Sequence, residues 1–362
     1  MLRKLPTLTV AVVLSCATTA GLSGTASAHP AKPDRVVGHV YEASNNVTGN
    51  AVNVYDRHAD GSLEPAGSVG TGGLGAGASL ASQGGLARDG RIVFVVNAGD
   101  DSVSALAATK HGLVLRDKVG SHGDFPVSLT VRNGVGYVLN QGDDTISGFR
   151  YDRSGHLDSL PGSTRALTPN PGGGGTDAAQ VSFTPNGRTL VVTQKATNAI
   201  DTFAVRRGYA GGATPHPSAG VTPYGFDFDR PGHLIVSEAA TGSASSYRLR
   251  PFSTLTSALA NTQAAACWLV VADNIAYVVN AASSSISTYA VAPDGTLRLL
   301  EAVAATTGAG PTDAAVSADG RQLSVRLRSG AVAAWRIGTA GTLASAGTAA
   351  GTGVGPAGLV AD

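Results

Sequence analysis

One unit recurs along this chain, and that internal repetition limits the possible folds more than any other feature. The unit opens with a short apolar strand and turns at an Asp-Gly or Asn-Gly pair. A strongly apolar strand follows and ends in Asn or another polar residue. A short polar loop then leads to an alternating strand and a second Gly turn. The second copy holds Asp89-Gly90, Ile92 to Asn97 and Asp101 to Leu106; the third holds Asn133-Gly134, Gly136 to Asn140 and Asp144 to Phe149. The fourth runs through Asn186-Gly187, Leu190 to Thr193 and Ala199 to Phe203, and the fifth through Pro231-Gly232, Leu234 to Ser237 and Ala244 to Tyr247. The sixth has Asp273-Asn274, Ala276 to Asn280 and Ser285 to Tyr289; the seventh has Asp319-Gly320, Leu323 to Val325 and Ala331 to Trp335.

Asn97 and Asn140 are 43 residues apart, as are Ser237 and Asn280, a length that fits four short strands and their turns. The Gly-containing pairs supply the positive φ angles of two-residue hairpins. Alternation such as Ser285-Ile286-Ser287-Thr288-Tyr289 suits a strand with one face against a neighbouring sheet. The first copy, within residues 36–67, lacks its opening strand, and Gly355 to Asp362 resembles the missing piece. The reading is an all-β, seven-bladed β-propeller over residues 36–362, closed by the C-terminal strand so that no sheet edge stays open at the seam.

The N-terminus reads as an export signal over residues 1–28. Arg3 and Lys4 precede the apolar stretch Leu8 to Ala17, and Ala26-Ser27-Ala28 is a small-x-small cleavage pattern. A short linker, 29–35, follows. The expected product is secreted. The alternative is a lipoprotein anchored at Cys16, because Val13-Leu14-Ser15-Cys16 loosely resembles a lipobox. No segment reaches the roughly 18 apolar residues of a membrane span. With 14% charged residues, a net charge of +1 and scattered Lys and Arg, the chain shows no nucleic-acid footprint. Cys267 lies in an apolar strand and reads as a buried small hydrophobe.

The segment Tyr277-Val278-Val279-Asn280, followed by Ser285-Ile286-Ser287, resembles the YVTN-type repeat. The whole set resembles the lactonase-family propellers, which include bacterial 6-phosphogluconolactonase and fungal carboxymuconate lactonizing enzymes. That resemblance implies an enzyme that hydrolyses or forms a lactone ring in a small polar substrate. Family members open a middle blade with His-x-His before a Ser-Pro-Asp-Gly-like turn. Counted back from Asn186, those positions here hold Asp177 and Ala179. The departure keeps a second function open: a non-catalytic extracellular propeller that binds a ligand, glycan or partner protein.

Antiparallel blades place the approach to each inner strand and the loop after each second strand on one face, around the channel. Glu42, Gln194, Lys195, Glu238 and Arg326 follow second strands there, together with Asn97, Asn140 and Asn280. His122, Asp124, Asp177, Gln180, Tyr224 and Asp313 approach inner strands. The asparagines are expected to brace their turns. Glu238, Lys195 and Asp177 form the candidate catalytic set, since a carboxylate and an ammonium near one channel can act as acid and base; a solvated ion pair is the simpler account. Glu42, Gln180, Gln194, Tyr224, His122 and Arg326 are the candidate ligand contacts. Of eight histidines only His39 and His122 are expected near the channel, too few for a metal set, so neither metal nor cofactor is expected. A monomer is expected. Two matches to G-x-G-x-x-G, from Gly70 and from Gly353, open no helix in a βαβ unit and carry no dinucleotide reading.

Overall fold

The computed structural model describes residues 35–351, 355 and 358–362. The expected signal peptide, Cys16 and the linker up to residue 34 lie outside the described residues. Seven separate antiparallel sheets form, six from single copies of the repeat and one from the first copy and the C-terminal strand. Blade two shows the pattern: Leu86–Asp89 innermost, then Ile92–Asn97, Ser102–Thr109 and Gly112–Gly120. Blades four, five and six begin at Ala178–Phe183, Pro223–Phe228 and Ala266–Ala272. In blade three the outer strand is split into Leu157–Ser159 and Arg165–Ala166. The split falls at Pro161-Gly162, where proline has no N–H for the ladder.

The first blade closes as the repeat requires. Val36–Ala43 pairs outward with Ala51–His58 and inward with Leu359–Ala361, through Val40 to Ala361, Tyr41 to Val360 and Glu42 to Leu359. The ring is thus sealed by strands from opposite ends of the chain, and neither remains a free edge.

Packing follows from the alternation along each blade. The third strands place one large apolar side chain in register in every copy: Tyr55, Leu106, Phe149, Phe203, Tyr247, Tyr289 and Trp335, each at most 5% exposed. Each of these contributes on the order of 1.5–3 kcal/mol by burial, and their phenols find partners as buried phenols must. Tyr289 donates to the Leu259 carbonyl of the preceding blade at 2.9 Å.

The inner strands are tied to one another by side chains that reach the next backbone. Ser128 accepts from the Val181 N–H at 3.1 Å, and Asp227 accepts from the Val271 N–H at 2.9 Å. Gln180 uses both ends of its amide on Phe226, at 2.7 and 3.0 Å. Two faces result. The hairpin face carries the Asp-Gly and Asn-Gly turns, and the opposite loop face carries the ends of the second strands.

Candidate functional site

In blades two, three and six the asparagine that ends the second strand turns inward to its own blade. Asn97 donates to Ser102 and Ser104 at 3.0 and 2.9 Å. Asn140 makes the same pair with Thr145 and Ser147, and Asn280 with Ser285 and Ser287. These side chains brace the blade through third-strand hydroxyls rather than through their own loop. Gln194 does the equivalent work on Asp201 at 2.7 Å, which occupies it away from any ligand.

Glu238 ends the second strand of blade five and also turns into its blade, with different partners. It is wholly buried, and Oε1 accepts from Ser218 at 2.7 Å and Tyr247 at 3.3 Å. Gly220 leaves the room it needs: a Cβ there would stand 2.5 Å from Glu238 Cγ, much as one at Gly123 would stand 2.4 Å from the Asn140 amide. Burial raises the Glu238 pKa, against hydrogen bonds from Ser218, Ser245, Tyr247 and the Gly220 N–H. The expected meeting of Glu238 with Lys195 on the loop face is not formed, because the glutamate is drawn into its blade.

Lys195, Asp177 and Tyr224 do come together. Lys195 Nζ lies 3.1 Å from Asp177 Oδ1 and 4.9 Å from the Tyr224 ring centroid. The lysine side chain is 7% exposed while that of Asp177 is 56% exposed, so the pair opens to solvent through its acid. Trp268 packs edge-on against Tyr224 at 5.5 Å. Burial lowers the Lys195 pKa, and Asp177 and Cys267 only partly restore it. The Cys267 thiol is itself pushed up to about 12 by burial, which fits the inert, packed cysteine read from the sequence.

A segment that the repeat does not account for covers this group. Residues 81–84, between the first and second blades, lie within the ring of inner strands. Ala81 accepts from Lys195 Nζ at 2.6 Å. Ser82 bonds the Val127 carbonyl and accepts from the Trp268 indole at 2.9 Å. Gln83 spans to blade six, donating to the Leu269 carbonyl at 2.7 Å and accepting from its N–H at 2.9 Å. Gly225 has no side chain because none fits: a Cβ would be 2.1 Å from Gln83 Oε1.

The remaining expected contacts lie elsewhere. Glu42 and Arg326 form a fully buried ion pair across the seam between blades seven and one, with Asn53 and Tyr55 on the other glutamate oxygen at 3.0 and 3.1 Å. Gln180 is held by Phe226. His122 does not approach the channel: its ring reaches Ser159 of an outer strand at 2.6 Å. His39 is on the hairpin face, 3.2 Å from Asp362 and 3.6 Å from Asp56. His216 belongs to the strand Tyr209–Pro217 and stacks on Phe252 at 3.8 Å. Among the described residues no group of three or more His, Cys, Asp or Glu is arranged to hold a metal, and no helix is long and apolar enough to cross a membrane.

A sequence signal for the brackets does exist. Asn97, Asn140 and Asn280 are each followed by hydroxyl residues five and seven positions later, and Glu238 has Ser243 and Ser245 at the same spacing. Glu238 keeps that spacing, but its Oε1 bonds fall on Ser218 and Tyr247 instead.

Residues 132–265 match the family model described as Lactonase, 7-bladed beta-propeller. No curated protein matches the chain. Among solved structures, a candidate 6-phosphogluconolactonase from Bacteroides fragilis is 17% identical over 90% of this chain and 98% of its own, with a TM-score of 0.70. A second, from Bacteroides uniformis, is 16% identical over 90% and 99%, with a TM-score of 0.72. A protein from Lactobacillus plantarum is 16% identical over the same shares, with a TM-score of 0.73. At these identities the likeness to solved structures is one of fold.

Proposed function

We propose that this chain, a propeller resembling the lactonase family, is an exported hydrolase that opens the ring of a small polar lactone at the channel mouth. The observation that supports this is Lys195: an amine whose pKa is lowered by burial, 3.1 Å from a carboxylate that meets solvent. A lysine lowered in this way keeps more of the neutral form that can take a proton. In the proposed reaction a water oxygen attacks the lactone carbonyl carbon and its proton passes to the Lys195 amine. The acyl carbon–oxygen bond of the ring then breaks. The departing alkoxide takes the proton back from the Lys195 ammonium, leaving a hydroxy acid. Asp177 stabilises the ammonium between the two transfers, and Tyr224 and Trp268 form the apolar floor beneath it. Glu238 supports this face through its bonds to Ser218 and Tyr247.

A second reading, binding without turnover, is favoured by residues 81–84, whose Ala81 carbonyl caps the amine. A panel of lactones followed by acid release in a pH-stat separates the two. The hydrolase reading expects turnover that falls at least about a hundredfold in Lys195→Met, the size of a lost general base, and survives in Glu238→Gln. No turnover of any lactone overturns it in favour of binding. Export is part of the proposal: the intact mass should begin at His29, and a diacylated mass beginning at Cys16 would contradict release.

A further inference from the structure

Arginines look scattered along the sequence, but the blades gather several on the hairpin face. Between blades four and five lies a cleft of about 570 Å³ on that face, far from Lys195 in the topology. Its walls include Thr189, Arg230, His233, Arg248 and Arg250. They come from the first hairpins of the two blades and the end of the third strand of blade five, Ser243–Leu249. The volume lies within the range of small-molecule sites.

The charges in this cleft are poorly neutralised. Asp229 is the nearby acid, and it is already engaged: Oδ1 accepts from the Gly232 and His233 N–H groups at 2.8 and 2.7 Å, and Oδ2 meets His233 Nδ1 at 2.7 Å. Arg230 reaches only Asp273, at 3.8 Å, with both side chains largely exposed. A pair like that holds little. Arg250 donates to the uncharged Thr189 hydroxyl at 2.9 Å, which fixes its position and leaves its charge. Among the described residues neither Arg248 nor Arg250 makes an ion pair with a carboxylate. The sister cleft between blades two and three, about 650 Å³, differs: Arg91 and Arg153 there stand with Asp89 and Asp152.

We propose that the cleft between blades four and five binds a small organic oligoanion, bearing two or more carboxylate or phosphate groups. Guanidinium groups present planar forks of donors that match such oxyanions two bonds at a time, which a lysine patch does not do. Three of them around one concavity fit a ligand with several anionic groups better than a single inorganic ion. The cleft is separate from the channel mouth, so the proposal stands whether or not the protein turns over a lactone.

Calorimetric titration of the full chain at low ionic strength tests it, with citrate and pyrophosphate as the two probes. The result expected is saturable binding of at least one probe in the micromolar range. Affinity should fall more than tenfold in Arg248→Gln/Arg250→Gln, while Arg153→Gln in the sister cleft leaves it unchanged. Preference for citrate or for pyrophosphate then distinguishes carboxylate from phosphate ligands. Absence of binding by either probe below millimolar concentration overturns the proposal, and so does an equal loss in the Arg153 variant. An unchanged melting curve for each variant confirms that affinity and not folding was altered; because Arg250 also bonds the buried Thr189, the single variant Arg248→Gln, with no such bond among the described residues, should lower affinity as well.

Discussion

Replacing Gln83 with alanine isolates what the segment across the channel does. In the native chain this side chain is 7% exposed and closes two hydrogen bonds on Leu269, at 2.7 and 2.9 Å. Each such bond is worth about 1 kcal/mol net, and about 1–3 kcal/mol where its loss leaves a buried group unpaired. Both ends of the Leu269 peptide face the ring interior, so some penalty of that kind is expected, and the sum comes to about 2–4 kcal/mol. Other holds remain, notably Ser82 to Trp268 and Gln83 N–H to the Ala179 carbonyl at 3.0 Å. The segment should therefore open locally while the blades stay folded. Amide hydrogen exchange read by mass spectrometry should show protection over residues 81–84 and around Leu269 reduced about thirty- to seven-hundredfold. The outer strands should be unchanged. Protection altered by less than about threefold at that site, or lost equally over all seven blades, would contradict this role for Gln83.

The ring closure, the seam and the hairpin-face clasp each give a further expectation. Deleting residues 359–362 should abolish cooperative melting or solubility, because it leaves Val36–Ala43 as a bare edge; a truncated chain that melts like the native one contradicts the closure. Arg326→Met should cost about 3–5 kcal/mol in urea unfolding by stranding the buried Glu42, and adding Glu42→Gln should recover most of it; a cost under about 1 kcal/mol would show that the pair is not sealed in. For the clasp, a hydrogen bond with Asp362 raises the His39 pKa against burial. Folding thus favours protonated His39, and its contribution is full below 6.5 and lost as pH rises through the folded value. Burial pushes the Asp362 pKa up, but His39 and Arg88 outweigh it and hold it below 3.8, so that contribution is lost as pH falls. The stability difference between native chain and His39→Asn should peak between those limits, and a flat difference across them would contradict the clasp.

The architecture was legible because each blade repeats one local problem. A Gly turn, an apolar strand and an alternating strand state their own conformations, and a spacing of 43 residues counts the blades. Even the closing strand near residue 359 was readable, since it carries the pattern absent from the first copy. The expected site was half legible. Topology placed Lys195 beside Asp177, because the two flank paired ends of adjacent strands in blade four, and near Tyr224 at the start of blade five. Glu238 was expected on the loop face, but its Oε1 bonds fall on Ser218 and on Tyr247 of its own blade, nine positions later. His122 left the channel because its ring is held by Ser159 of an outer strand, 37 residues on, a contact the repeat does not encode. The segment at 81–84 had no signal at all: its partner Leu269 is 186 residues away, and contacts of that kind break no period. The arginine cleft was hidden for the same reason, since Arg230, Arg248 and Arg250 become neighbours of Thr189 only across a blade boundary.

In the proposed hydrolase, burial at the channel mouth leaves Lys195 a usable base beside Asp177. The most direct measurement is an NMR titration of the Lys195 side chain, assigned by its disappearance in Lys195→Met. The account predicts a midpoint below the ordinary lysine value of 10.5, moving lower still in Asp177→Asn, because the carboxylate is the partner that favours the charged form. A midpoint at or above 10.5, unmoved by Asp177→Asn, would contradict it and leave Lys195 as a structural prop beneath Ala81.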